Sequence, residues 1–187
     1  PGKIYACEPN PQYASVLAAF EGVKVEQIAF SSEKGTARLK VPAIRGTSYP
    51  TRGTLESYTE SGETGADYYD VQTITLDEFA LMRGLSIGTI KIDVEGHERS
   101  VLEGAKGVLA EQHPNLIIEI EQRHHDDPIS ETLDAICEYG YDGYFFDPER
   151  KAYVSVAEFS TALHQSIEMF KTPKYVNNFV FVPVGAE

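Results

Sequence analysis

Two short apolar runs rich in β-branched residues, at 89–94 and 116–120, flank a segment whose apolar residues recur at helical spacing. The apolar face of that segment contains Val101, Leu102, Ala105, Val108 and Leu109. A strand, a helix and a second strand in this order form a unit whose two strands lie parallel, because the helix carries the chain back across the sheet. This feature predicts an α/β fold with a mostly parallel sheet and helices on both faces.

The rest of the chain continues the alternation of strands and helices. Asn10 followed by Pro11 is a good start for a helix, since Asn caps helices and Pro fits their first position. The last predicted strands are at 141–146 and 179–184, and residues 147–150 form a turn between extended segments. Late strands with short turns predict an antiparallel edge of the sheet. We therefore expect a single domain over residues 1–187.

Residues 42–67 break this alternation. They contain four glycines and many serines and threonines, with little apolar periodicity. A segment this long without regular structure is usually a functional or a disordered loop. We expect a mobile loop within the domain.

The charge of the chain restricts its partners. It has 16 basic and 29 acidic residues, a net charge of −13, which disfavours binding to nucleic acid phosphates. No apolar run approaches the ~20 residues that cross a bilayer, so no membrane partner is expected. Cys7 and Cys137 lack the spacing of metal ligands and are interpreted as free thiols of a cytoplasmic protein.

Acidic residues stand where predicted strands end. In open α/β sheets, ligands bind beyond the carboxyl ends of the strands. Glu8 ends the first strand, where a carboxylate can accept hydrogen bonds from both hydroxyls of a ribose. The alternative is a solvated carboxylate beside the start of a helix.

Residues 91–98, with the sequence KIDVEGHE, are the most informative segment. Asp93 and Glu95 would share one side of an extended chain, and Gly96 allows a sharp turn. Two converging carboxylates suit a cation, a metal ion or a proton transfer. They equally suit the start of a helix, so the residues alone leave these interpretations open.

This segment, followed by VLEGA at 101–105, resembles the signature of the FkbM-type S-adenosylmethionine-dependent methyltransferases. Residues 5–11, 29–31 and 178–183 resemble further segments of that family in the same order. The resemblance implies a Rossmann-like class I methyltransferase fold. The family's first strand and glycine-rich loop would precede Pro1, which implies an incomplete domain and two unpaired sheet edges.

The resemblance also implies residues that bind the cofactor, S-adenosylmethionine. Glu8 would bind the ribose, in a turn shared with Pro9 and Asn10. Asp93 would lie beside the methionine part and the transferred methyl. The residues that would border the adenine are Ala29, Phe30 and Ser31.

On the acceptor side, the resemblance places Glu95 and His97. His97 is our candidate general base because the unperturbed pKa of histidine lies near neutrality. The alternative is an exposed histidine in the first turn of a helix. We assign no metal ligands, although a divalent cation on Asp93, Glu119 or Glu121 would be an alternative way to activate a hydroxyl. Residues 124–127, with the sequence HHDD, are interpreted as a solvated turn rather than a metal site.

The function expected is O-methylation of a sugar or another hydroxyl-bearing small molecule, with a homodimer as an option. Two alternatives remain open. One is a nicotinamide-dependent oxidoreductase, which would use the same acid at the end of the first strand. The other is a non-catalytic remnant that binds a partner through residues 42–67.

Overall fold

The computed structural model describes residues 2–170 and 172–185. Contacts between residues divide the chain into two compact units. The N-terminal unit comprises Pro1–Arg83 with Ser100–Ala105, and the C-terminal unit comprises Gly84–Arg99 with Lys106–Glu187. The single domain expected from the sequence stays a prediction.

The N-terminal unit begins with a strand, a helix and a second strand. Strands β1 (Ile4–Cys7) and β2 (Val23–Glu26) are parallel, and helix α1 (Pro11–Leu17) joins them. Asn10 caps this helix through Oδ1, which accepts the backbone N–H of Gln12 at 3.0 Å, and Pro11 occupies the first turn. The predicted helix start is therefore confirmed.

A second sheet of the same unit has the order β3-β6-β4-β5. Its strands are β3 (Ala29–Phe30), β4 (Gly35–Ile44), β5 (Thr47–Ser48) and β6 (Glu63–Ile74), and α2 (Leu76–Arg83) follows. β4 and β6 form a long antiparallel ribbon. The apolar core of the sheet contains Ala29, Leu39, Val41 and Val71.

The prediction of a loop over residues 42–67 is wrong in its secondary structure. The ends of β4 and β6, all of β5 and a 3-10 turn at Pro50–Arg52 lie within it. Lys40 on β4 also pairs with Thr54 in an isolated bridge. Mobility of this segment stays a prediction.

Buried charges hold this segment, which explains why apolar periodicity missed it. The ammonium group of Lys40 is buried, 2.9 Å from the carboxylate of Glu63 and 2.7 Å from the carbonyl oxygen of Tyr58. Arg52 pairs with Glu60 at 2.9 Å. Such pairs can fix the path of the chain without an apolar repeat in the sequence, because each joins two polar residues that are 8 to 23 positions apart.

The C-terminal unit contains one sheet with the order β10-β9-β11-β8-β7. Strands β7 (Thr89–Ile92) and β8 (Asn115–Glu119) are parallel, whereas β9 (Tyr141–Asp147), β10 (Ala152–Ser155) and β11 (Asn178–Pro183) pair antiparallel. The remaining α-helices are α3 (Glu98–Glu103), which contains the boundary between the units, α4 (Lys106–Gln112), α5 (Ile129–Glu138) and α6 (Thr161–His164). None of the helices in the described residues is both long enough and apolar enough to span a bilayer.

The α/β fold is confirmed, but a mostly parallel arrangement is not. The sheets are mixed, because the ribbon of β4 and β6 and the late hairpin strands add antiparallel pairs. Within the described residues, β1 pairs only with β2, and β7 pairs only with β8.

Gly104, in the segment 101–105, allows two backbone segments of the N-terminal unit to meet. A Cβ on Gly104 would lie 2.1 Å from the carbonyl oxygen of Ser31. The carbonyl of Gly104 also accepts the backbone N–H of Asp77 at 3.0 Å. No side chain fits there unless the backbone moves.

We predict that Gly104→Ala destabilises the protein by about 1–3 kcal/mol, the usual range for overpacking a well-packed site. Gly65→Ala is the matched control, since a Cβ there would meet no atom within 4 Å. Urea unfolding of both variants tests this prediction. Equal stability of the two would contradict the close approach.

Candidate active site

The turn after β1 carries the first group of predicted site residues. Oε1 of Glu8 accepts the backbone N–H of Asn10 at 2.7 Å, whereas Oε2 has no hydrogen-bond partner among the described residues. Burial raises the pKa of Glu8, and the hydrogen bond from Asn10 offsets this in part. Asn10 is 2% exposed, and its Nδ2 has no partner within the described part of the chain. The turn therefore holds an open carboxylate oxygen and an unsatisfied amide donor.

The three residues expected at the adenine are packed more deeply. Ala29 belongs to the apolar core of its sheet, so its side chain does not reach a surface. Phe30 packs edge-to-face on Phe79 with 5.2 Å between ring centroids. Ser31 is buried, and its backbone N–H donates to the carbonyl of Ile74 at 3.0 Å. Their contact with an adenine stays a prediction.

In the C-terminal unit, acidic residues gather where β7 and β8 end. Because the two strands are parallel, Asp93 and Glu119 lie at the same edge of the sheet. Nζ of Lys91 lies 3.4 Å from Oδ2 of Asp93 and 3.8 Å from Oε2 of Glu119. Burial raises the pKa of Glu119, the charge of Asp93 raises it further, and Lys91 offsets part of the rise.

Two asparagines that the sequence analysis missed bind Glu119. Nδ2 of Asn177 donates to Oε1 at 2.7 Å, and Nδ2 of Asn178 donates to Oε2 at 3.3 Å. β11 runs antiparallel to β8, with Asn178 opposite Glu119, so its first residues lie beside the last residues of β8. The sequence signal that could have indicated this contact is the position of the two asparagines, which directly precede the predicted strand at 179–184.

The turn after β7 has an unusual backbone. Glu95 has φ 48° and Gly96 has φ 96°, both in the left-handed region. Non-glycine residues rarely adopt that region. Those that do are often found at functional sites. The strand alternation that we used to place Asp93 and Glu95 on one side is wrong here, because β7 ends at Ile92 and the chain turns at Glu95.

Two consecutive histidines hold the glutamates of this turn. Glu98 is 1% exposed; its Oε1 accepts the backbone N–H of Gly96 at 3.0 Å, and its Oε2 lies 2.8 Å from Nε2 of His125. Oε2 of Glu95 lies 3.3 Å from Nδ1 of His124, whose side chain is 3% exposed. Both histidines therefore contact the turn after β7 through its glutamates.

The interpretation of residues 124–127 as a solvated turn is wrong for these two histidines. His124 pairs with Glu95, 29 positions away, and His125 pairs with Glu98, 27 positions away, so no local pattern indicated these contacts. In the described ranges, no group of three or more His, Cys, Asp or Glu side chains is placed to hold a metal ion.

Glu121 is the centre of a second ionic cluster at this edge. Nε of Arg123 donates to Oε2 at 2.7 Å, and the hydroxyl of Tyr175 donates to the same oxygen at 2.5 Å. Burial alone would raise the pKa of Glu121, but these two hydrogen bonds and the neighbouring positive charge of Arg123 together lower it. Glu121 is therefore a paired carboxylate with both oxygens in use.

His97 immediately precedes α3 and is half-buried. Its backbone N–H donates to the carbonyl of Val94 at 3.4 Å, which closes the turn around Glu95 and Gly96. The assignment of His97 as general base stays a prediction.

We predict that Glu121→Gln lowers the free energy of unfolding at pH 7 by roughly 1–3 kcal/mol, since hydrogen bonds to a buried charge are lost. The pKa of Glu121 is lower in the folded state, so its contribution is present above the unfolded pKa of about 4.3 and is lost as the pH falls through the folded value.

The difference between the variant and the wild type should therefore shrink on acidification. Denaturant unfolding at several pH values measures it. Glu111→Gln, at an exposed position, is the control and should be neutral throughout. A difference that does not depend on pH would contradict the charged pairing of Glu121.

Comparisons with known proteins identify the family of the chain and a similar fold. Residues 1–142 match the family model described as Methyltransferase FkbM domain. The fold is similar to a crystal structure of Methyltransferase FkbM from Methylobacillus flagellatus, with a TM-score of 0.52 and 12% sequence identity. That similarity covers 96% of this chain and 36% of the other, so the chain spans about a third of its length. None of the curated proteins matches significantly.

The family model covers most of the chain and includes the turn after β1, the segment at 91–98 and the start of β9. The chain belongs to the FkbM methyltransferase family.

Proposed function

We propose that this chain forms part of an S-adenosylmethionine-dependent methyltransferase that methylates a hydroxyl oxygen of a sugar or another small molecule. Membership of the FkbM family supports the reaction class. The turn at Glu8 and Asn10 is the observation that carries the choice of cofactor. It offers polar atoms that the described residues leave without partners.

The cofactor fits the chemistry of this turn. Oε2 of Glu8 can accept hydrogen bonds from ribose hydroxyls while Oε1 stays bound to the backbone of Asn10. Nδ2 of Asn10 is a buried donor, and such donors are costly unless they find an acceptor. When bound, the cofactor supplies a methyl group activated by a sulfonium.

The carboxylates after β7 suit a cationic ligand. Asp93 is half exposed at the end of its strand, and Glu95 is 18% exposed in its side chain. Negative charge at this edge attracts a sulfonium, in line with the net charge of −13. The proposal assigns Asp93 to the methionine part of the cofactor.

Transfer to a hydroxyl also requires that the acceptor lose its proton. Positioning the oxygen in line with the leaving sulfur supplies much of the rate, and a carboxylate or imidazole can take the proton. The proposal assigns the removal of this proton to Glu95 or His97. It places the acceptor at the same edge of the sheet. The cytoplasmic location and the homodimer expected from the sequence stay predictions.

Calorimetry of the full-length protein with S-adenosylhomocysteine tests the proposal. We expect a dissociation constant between roughly 1 μM and 1 mM, the range common for enzyme ligands. Glu8→Ala should weaken binding about tenfold or more, because a charged hydrogen-bond acceptor is lost. Glu21→Ala, an exposed acid of the same unit, should leave binding unchanged.

The same titration with NADH examines the oxidoreductase alternative, since its ribose could occupy the same turn. Binding of NADH in place of S-adenosylhomocysteine would reject the methyltransferase proposal. So would the lack of any S-adenosylhomocysteine binding at millimolar concentration. An unchanged affinity in Glu8→Ala would remove Glu8 from the cofactor site.

A further inference from the structure

The turn from Val94 to Glu98 is held by side chains from elsewhere in the C-terminal unit. Glu95 has a left-handed backbone, which an L-residue keeps only where surrounding contacts fix it. One such contact is local, from the N–H of Gly96 to Oε1 of Glu98. This bond depends on the position of the Glu98 carboxylate.

Glu98 in turn needs a partner, because a carboxylate that is 1% exposed is unstable when left unpaired. His125 supplies it through Nε2 at 2.8 Å. The pair therefore connects the turn after β7 to the segment after β8. Loss of His125 would release both Glu98 and the Gly96 contact.

His124 holds the other glutamate. Its Nδ1 lies 3.3 Å from Oε2 of Glu95, and the guanidinium of Arg123 lies 4.0 Å from the same oxygen. Two residues of the 3-10 turn at Gln122–His124 therefore hold the carboxylate of Glu95 in place. The two histidines are adjacent in sequence and hold glutamates that are three residues apart.

The segment that carries the histidines is itself fixed. The side-chain amide of Gln122 donates to the carbonyl oxygens of His125 at 3.1 Å and Asp127 at 2.9 Å. Its backbone N–H donates to the side chain of Gln165 at 2.7 Å. A segment anchored this way can hold the turn after β7 at a constant position.

We infer that His124 and His125 are positioning residues for methyl transfer: they hold Glu95 and Glu98 and thereby fix the turn that presents Asp93 and Glu95. The role of the turn in methyl transfer rests on the proposed function. The contacts of His125 with Glu98 and of His124 with Glu95, which we call the clamp, rest on the structure alone. His125 acts through Glu98 and Gly96, and His124 acts through Glu95.

The test compares substitutions that remove the nitrogen with substitutions that keep one. His125→Ala removes Nε2, whereas His125→Gln places an amide nitrogen near it. His124→Ala and His124→Asn form the matching pair for Nδ1. Asp126→Ala, at an exposed position in the same segment, is the control.

Two measurements are made on the full-length protein, on variants whose thermal unfolding shows that they are folded. The first is the affinity for S-adenosylhomocysteine by calorimetry. We expect both alanine variants to bind at least about tenfold more weakly, as is typical when a group that orients a functional side chain is lost. The Gln and Asn variants should recover most of the affinity, and Asp126→Ala should match the wild type.

The second measurement is the backbone amide resonance of Gly96 by NMR. In His125→Ala this resonance should shift and its hydrogen exchange should accelerate, since the acceptor Glu98 is no longer held. His125→Gln should stay close to the wild type. This signature separates a clamp on the turn from a general loss of stability.

Wild-type affinity in the alanine variants, or equal loss in the Gln and Ala variants, overturns the inference. An unchanged Gly96 resonance in His125→Ala also overturns it. If His125→Ala does not fold, Glu98→Gln is measured in its place, and unchanged values there have the same meaning. If the wild type does not bind S-adenosylhomocysteine, the proposed function fails, and the Gly96 resonance alone decides the clamp.

Discussion

The buried carboxylate of Glu98 is the constraint around which the candidate active site is arranged. At 1% exposure it cannot rely on water, so it must take its partners from the protein. It takes one from its own turn, the N–H of Gly96, and one from the segment after β8, the imidazole of His125. Because of this pair, the turn after β7 and the segment after β8 are held at fixed positions relative to each other within the C-terminal unit. The left-handed backbone at Glu95 lies within the same turn.

Paired charges also hold other parts of the chain. In the N-terminal unit, Lys40 binds Glu63 and a backbone carbonyl inside the ribbon of β4 and β6. At the edge of the C-terminal sheet, Glu121 binds Arg123 and Tyr175. Each pair makes the partner residue necessary, since removal of one member leaves a buried charge. Polar contacts therefore help to fix the ribbon and the edge of the C-terminal sheet, together with the apolar residues of the strands.

The sequence predicted features that depend on neighbours along the chain. Many of the strands, the cap at Asn10 and the turn at Gly96 follow from periodicity and local chemistry, and the resemblance at 91–98 identified the family. Features that depend on distant partners were missed or misread. The ribbon around Lys40, the asparagines at Glu119 and the pairing of His124 with Glu95 join residues far apart in sequence, and no local pattern encodes them. The strand alternation failed at Glu95 because the backbone turns there.

A double-mutant cycle between Glu98 and His125 tests the central claim most directly. The free energy of unfolding is measured for the wild type, Glu98→Ala, His125→Ala and the double variant. If the buried pair organises the turn, the two substitutions will be strongly non-additive, with a coupling energy of about 1.5–3 kcal/mol as for hydrogen bonds to charged groups. A coupling energy within about 0.5 kcal/mol of zero, the scatter of independent sites, would contradict the account.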